Sequence, residues 1–180
     1  MVDKRVYKTK ISIMNAFKQL IETKRLEKMT IKELTDLSVI NKTTFYRHFE
    51  DIYALVDHIE NELVEEYISG IDDVLTIFTN PEQYVISMTS SFIALQPLST
   101  HLLRRARKEV LFSKLSDAQL QVIYSRRPEL RDNQQFKITI EYLNGGLASI
   151  DLDYFYNSNR EEVYKILGNI IKNTLLEYNQ

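Results

Sequence analysis

Cysteine is absent from the 180 residues, which excludes disulfide frameworks, thiolate nucleophiles and cysteine-based zinc sites together, and fits a reducing compartment. Glycine and proline are scarce, at four and three residues, so helices can run with few interruptions. No stretch approaches the roughly 18 consecutive apolar residues of a spanning helix. The opening MVDKRVYKTKISIMNAF is charged through its first ten residues and carries no apolar core of a secretion signal. A soluble, cytoplasmic chain with no membrane partner is therefore expected. Strand-like alternation is nearly absent too, as are internal repeats and low-complexity segments.

Catalytic inventory is equally thin. The three histidines, His48, His58 and His101, are far apart, and no Ser/His/Asp order, phosphate loop or zinc spacing appears. The carboxylates of DLD, residues 151–153, sit at i and i+2, which do not face the same way on a helix. Neither an enzyme nor a cofactor or metal is expected.

What is present is helical periodicity and an uneven charge. Leu, Ile, Glu and Lys recur at helical spacing, so the expected class is all-α. The net charge of -2 conceals an asymmetry: residues 1–49 hold 11 Lys and Arg against 5 Asp and Glu, while residues 50–180 hold 12 against 20. A basic first quarter joined to an acidic remainder suggests two different partners, the first a polyanion.

Read along the chain, a first helix is predicted over residues 3–25, with Val6, Ile13, Met14, Phe17, Leu20 and Ile21 as its apolar stripe. Thr30 and Glu33 have the spacing of a capping box, so a short helix should start at Ile31 and reach about Leu37. Asn41 is a good N-cap for another through His48. Phe45 and Phe49, at i and i+4, share a face that can pack onto Phe17 and Leu20, leaving Lys42, Thr43, Tyr46 and Arg47 outward. Asp51 can cap a helix over residues 51–78 with the stripe Leu55, Ile59, Leu63 and Tyr67. Later segments, among them HLLRRARKEVLFSKL, FKITIEYLNGGLASIDLDYFY and REEVYKILGNIIKNTLLEY, keep the same periodicity. Pro81, Pro97 and Pro128 fall where helices should meet.

Two short helices joined by a three-residue turn, the second led by slender polar residues such as Thr43 and Thr44, make a helix-turn-helix able to enter a major groove about 12 Å wide. The segment TIKELTDLSVINKTTFYRHFED, with TTFYRHF as its most specific part, resembles the DNA-binding segment of TetR-family transcriptional regulators over roughly residues 8–60. The resemblance implies an N-terminal DNA-binding domain over residues 1–50 and a helical ligand-binding and dimerisation domain over residues 51–180. It also implies a homodimer formed through the last two helices, a double-stranded DNA operator, and a small-molecule effector. By the same resemblance Thr30, Asn41, Arg47 and His48 match phosphate-contacting positions, and Lys42, Thr43 and Tyr46 match those reaching base edges, with Thr44 a further DNA-binding candidate. This sequence departs from the pattern at Val39 and Thr43, where family members often carry glycine, and at Ile52, often lysine. Because a β-branched residue tolerates positive φ poorly, a differently shaped turn is expected at Val39.

YLNGGLASIDLDYF also resembles the C-terminal domain of a TetR subgroup typified by regulators of dihydroxyacetone kinase operons, although the tryptophan that pattern carries near Tyr154 is missing. Candidate effector-binding residues between the middle helices are Tyr84, Met88, Phe92, His101, Arg104, Phe112 and Tyr124, each of which also suits a plain core or surface position. RRARK, residues 104–108, reads more readily as a solvated face than as the holder of an anionic effector. Gly145 and Gly146 mark either a close helix approach or a kink. The alternative reading from another class is a protein-interaction module or coactivator that keeps the fold without tight operator binding.

Overall fold

A computed structural model describes residues 4–150, 153–156 and 159–178, and among them every regular element is helical. In order these are α1 (Lys4–Ile21), α2 (Ile31–Ser38), α3 (Lys42–His48), α4 (Ile52–Ser69), α5 (Thr76–Thr79), α6 (Pro81–Ala94), α7 (Leu98–Arg105), α8 (Lys108–Arg126), α9 (Gln134–Ser149), α10 (Asp153–Tyr156) and α11 (Arg160–Thr174), with short 3-10 turns between some of them. No helix among the described residues is long and apolar enough to cross a membrane. The all-helical expectation is met.

Contacts divide the chain into two compact units: Met1–Leu63 with Gln96–Leu111, and Val64–Leu95 with Phe112–Gln180. The first extends well past residue 50 and takes in α7. Its interior is built from Ile13, Met14, Phe17 and Ile21 of α1, Leu34 of α2, Phe45 of α3, Leu55 and Ile59 of α4 and Leu102 of α7, all buried. Here α1 packs on α2 and α7, and α2 on α3. In the second unit α11 lies along α6, with α5 and α10 beside them. Tyr84, Ile123, Phe136, Ile140, Ile171 and Leu175 form the centre of its core.

Local chemistry sets several helix starts. Thr30 Oγ1 accepts from the Glu33 amide at 3.2 Å and Glu33 Oε2 accepts from the Thr30 amide at 3.0 Å, the reciprocal box expected at α2. Lys24 pairs with the same Glu33 carboxylate and, as the leading cause, holds it below its ordinary range. Asn41 Oδ1 caps α3 by accepting from the Thr44 amide at 2.8 Å, and Asp51 Oδ1 caps α4 through the Ala54 amide at 2.8 Å. Each such cap contributes about 1 kcal/mol. Pro81 and Pro128 open their elements, and Pro97 directly precedes α7.

Several expectations need correction. The first helix stops at Ile21, because the amides of Thr23 and Lys24 both turn back to the Leu20 carbonyl; Val6 at its other end is exposed. The helix expected over residues 51–78 breaks after Ser69: Gly70 lies against the Ser91 side chain, at a place a β-carbon would overlap, and Ser91 Oγ donates to the Tyr67 carbonyl at 2.7 Å. HLLRRARKEVLFSKL is two helices, separated where Ala106 leaves helical geometry with φ -123° and ψ -139°. Gly145 and Gly146 lie in an unbroken α9, and a methyl added at either would meet open space, so neither a kink nor a close approach within the chain explains them. The DLD carboxylates fall outside the residues whose side chains are described.

The turn at residues 39–41 gives the clearest reversal. Val39 adopts the left-handed conformation, φ 55° and ψ 46°, the only positive-φ residue among those described. Its amide and that of Ile40 close the end of α2 by bonding to the Asp36 and Thr35 carbonyls. The chain takes the glycine-type geometry with a β-branched residue in place, and Val39 is 89% exposed.

Candidate nucleic-acid interface

Helix α3 is amphipathic in cross-section. Phe45 is fully buried and Phe49, just beyond the helix, is nearly so, whereas Lys42, Thr43, Tyr46 and Arg47 are exposed and Thr44 and His48 are half-buried. The inward side is aromatic: the Phe45 and Phe49 rings lie 6.0 Å apart, and Phe49 continues to His58 of α4 at 5.9 Å. Tyr46 meets the edge of Phe45 at 5.7 Å, which holds its ring in place at the helix surface. An additional tie comes from Ser12 Oγ of α1, which donates to the Ser38 carbonyl at 3.1 Å and so secures the end of α2.

The predicted residues divide by what already occupies them. The Thr30 hydroxyl is used twice, accepting from the Glu33 amide and donating to its carboxylate. Asn41 Oδ1 receives both the amide and the hydroxyl of Thr44, at 2.8 and 3.0 Å. These three residues shape the helix starts: the amides and hydroxyls of Thr30 and Thr44 are committed there, and the Asn41 side-chain nitrogen stays available to anything outside. Lys42 and Arg47 have no carboxylate partner among the described residues. They are exposed cations on the helix that also presents Thr43 and Tyr46.

Lys10 joins this group and was not singled out by the sequence pattern. His48 is held below the ordinary imidazole range, first by partial burial and then by the nearby charges of Lys10 and Arg47. Lys10, on α1, therefore stands close enough to the end of α3 to extend its positive field. In the sequence it was one of several lysines on the polar side of α1, and only the packing distinguishes it.

The candidate effector residues are divided between the two units. His101 and Arg104 belong to the first unit; Tyr84, Met88, Phe92, Phe112 and Tyr124 belong to the second. Tyr84 and Tyr124 are part of the second unit's core, and Met88 and Phe92 pack against it. The Tyr84 hydroxyl accepts from Gln119 Nε2 at 2.6 Å, and Gln119 Oε1 accepts from Asn144 Nδ2 at 2.7 Å, a buried polar chain that also reaches Ser116. Burial pushes the Tyr84 hydroxyl well above the ordinary phenol range, so it stays neutral.

RRARK is not uniformly solvated. Arg104 and Lys108 are exposed, but Arg107 reaches Glu60 of α4 at 2.8 Å, and the Glu60 side chain has no exposed surface. Among the described residues no cluster of His, Asp or Glu is arranged to hold a metal. Compared with known proteins, the chain matches no family model, no curated protein and no solved structure.

Proposed function

We propose that this chain is a sequence-specific DNA-binding transcription regulator of the TetR type, acting as a repressor and binding a palindromic operator as a homodimer. One observation carries the reading: α3 is pinned from behind by buried Phe45 while it offers Lys42, Thr43, Tyr46 and Arg47, two of them cations without an internal partner, to a ligand outside. A helix preceded by a three-residue turn and led by slender polar groups suits the major groove, and cations beside it suit phosphates. The first unit, with 15 Lys and Arg against 11 Asp and Glu, is net positive, and the second, with 8 against 14, is net negative. That division favours a polyanion for the first.

The homodimer reading draws support from α9 and α11. Ile138, Tyr142, Gly145 and Gly146 follow one another at i, i+4, i+7 and i+8 and are all exposed, and Ile166 and Ile170 form a second exposed apolar pair on α11. Two such faces brought together from two copies would bury them. Half-sites would then lie about one to one and a half helical turns apart. A small-molecule effector would act by favouring one spacing of the two recognition helices over another.

Fluorescence anisotropy with DNA from the region upstream of the protein's own coding sequence, at two salt concentrations, tests the reading. Binding that prefers this DNA to random duplex and weakens with salt supports it. Arg47→Ala should then weaken binding to every sequence, whereas Thr43→Ala should change base preference. Salt-independent binding, or none, favours the protein-interaction module instead. That second reading draws on Leu37 and Val39, which place exposed apolar surface beside α3.

A further inference from the structure

Helix α7 is separated from α3 by about fifty residues of sequence, yet both belong to the same compact unit, where α7 packs on α1. Ser99 and Leu102 turn inward and are buried, with exposures of 0% and 1%. His101, Arg104 and Arg105 fall at i, i+3 and i+4, on the side of the helix away from that buried pair. Arg104 is exposed, and His101 and Arg105 are half-buried. Neither arginine has a carboxylate partner among the described residues, in contrast to Arg107 two positions later, which is committed to Glu60 and lies 3.7 Å from Asp57.

We propose that Arg104 and Arg105 form a second phosphate-contacting surface for duplex DNA, separate from α3. The inference rests on the DNA-binding reading above and adds to it a segment that no motif assigns to DNA. Two unpaired guanidiniums on the outer side of a helix are poorly placed to enclose a small anion, which is held in a concave site. They are well placed for a polyanion, which needs no enclosure and gains by releasing condensed counterions at each neutralised phosphate. Guanidinium suits phosphate further, because its fork of donors stays charged and can engage two oxygens at once. The positive charge of the first unit owes much to this stretch, since residues 96–111 contribute four Lys and Arg against a single Glu. The same residues would thus widen the footprint of each subunit along the backbone without altering which bases are read.

The test is the salt dependence of binding to a fluorescein-labelled random-sequence duplex, followed by anisotropy for the intact protein, Arg104→Gln/Arg105→Gln, Arg104→Lys/Arg105→Lys and Arg47→Ala. If both arginines meet phosphates, the glutamine variant loses about 1.8 from the slope of log affinity against log salt, at roughly 0.9 per contact. Between roughly 50 and 200 mM salt the intact protein should then lose about tenfold more affinity than the glutamine variant. The lysine variant should keep the parent's slope, which separates charge from an effect on packing. An unchanged slope in the glutamine variant, alongside a reduced slope in Arg47→Ala, overturns this proposal and leaves α3 as the DNA-binding element. No binding by the intact protein overturns both readings. A loss in the glutamine variant of binding to anionic phospholipid vesicles, with DNA affinity unchanged, would assign the surface to membrane phosphates and also overturn the proposal.

Discussion

Arg107 Nη2 lies 2.8 Å from Glu60 Oε2, and the Glu60 side chain is completely buried. A carboxylate out of water is costly unless a cation and hydrogen bonds compensate it, so Arg107 helps to determine how α4 and the start of α8 meet within the first unit. Removing one partner of a buried pair typically costs 3–5 kcal/mol. Because the Arg107 side chain is 27% exposed, and water can take over part of its role, Arg107→Ala should destabilise by about 2–4 kcal/mol. Arg104→Ala, three residues earlier and exposed, should stay within about 0.5 kcal/mol. Urea midpoints decide it: equal midpoints for the two variants would mean that the pair contributes nothing to folding.

Val39 supplies a prediction of the opposite sign. A non-glycine residue in the left-handed region costs roughly 1–2 kcal/mol, and at 89% exposure the valine side chain returns little burial for it. Val39→Gly relieves the strain while adding some freedom to the unfolded chain. The expected result is a net stabilisation of about 0.5–1 kcal/mol, read as a higher urea midpoint with an unchanged slope. A lower midpoint would show that the valine side chain makes contacts worth more than the strain.

These two residues also mark what a sequence can disclose. The Thr30–Glu33 box and the caps at Asn41 and Asp51 were readable because each is settled within three or four residues. Phe45 and Phe49 were readable as an inward face because helical spacing alone puts them together. Glu60 was not, since its place in the α4 pattern looks like any polar position and its partner lies 47 residues away. The break after Ser69 depends on Ser91 in the same manner, and the break at Ala106 accompanies the turn that brings Arg107 to Glu60. Propensity argued against positive φ at Val39, but the hydrogen bonds closing α2 prevailed. Among the α3 candidates, spacing identified the exposed residues, while Lys10 emerged only once α1 was packed against its neighbours.

The helical glycines separate two kinds of close contact. At Gly168 a β-carbon would come within 2.9 Å of the Glu82 backbone, where α11 crosses the start of α6. Gly168→Ala should therefore destabilise by about 1–3 kcal/mol through overpacking, outweighing the roughly 1 kcal/mol that alanine gains in helix propensity. At Gly145 and Gly146 there is open space within the chain, so alanine there should stabilise an isolated subunit by about 1 kcal/mol at each site. If two copies meet over Ile138 and Tyr142, Gly145→Leu should nevertheless weaken the dimer in sedimentation equilibrium. An unaltered dimer with leucine at that position would remove this stretch of α9 from the interface.

His48 connects the geometry of α3 to pH. Burial, then Lys10, then Arg47 hold its imidazole below the ordinary value of about 6.5. In the free protein the unfolded chain accordingly binds more protons at this site within the interval between the two values. The stability His48 contributes is complete above about pH 6.5 and declines as pH falls through that interval. A phosphate beside the ring would act in the other direction, favouring imidazolium, so that binding DNA takes up a proton and affinity rises as pH falls from about 8 to about 6. The gain cannot exceed about tenfold per pH unit for one proton. Anisotropy titrations at constant ionic strength should show this rise in the parent and a flatter profile in His48→Asn, with His58 and His101 common to both. The same rise in both proteins would place the titrating group elsewhere, and a flat profile in the parent would mean that no phosphate approaches the end of α3 closely enough to alter its charge.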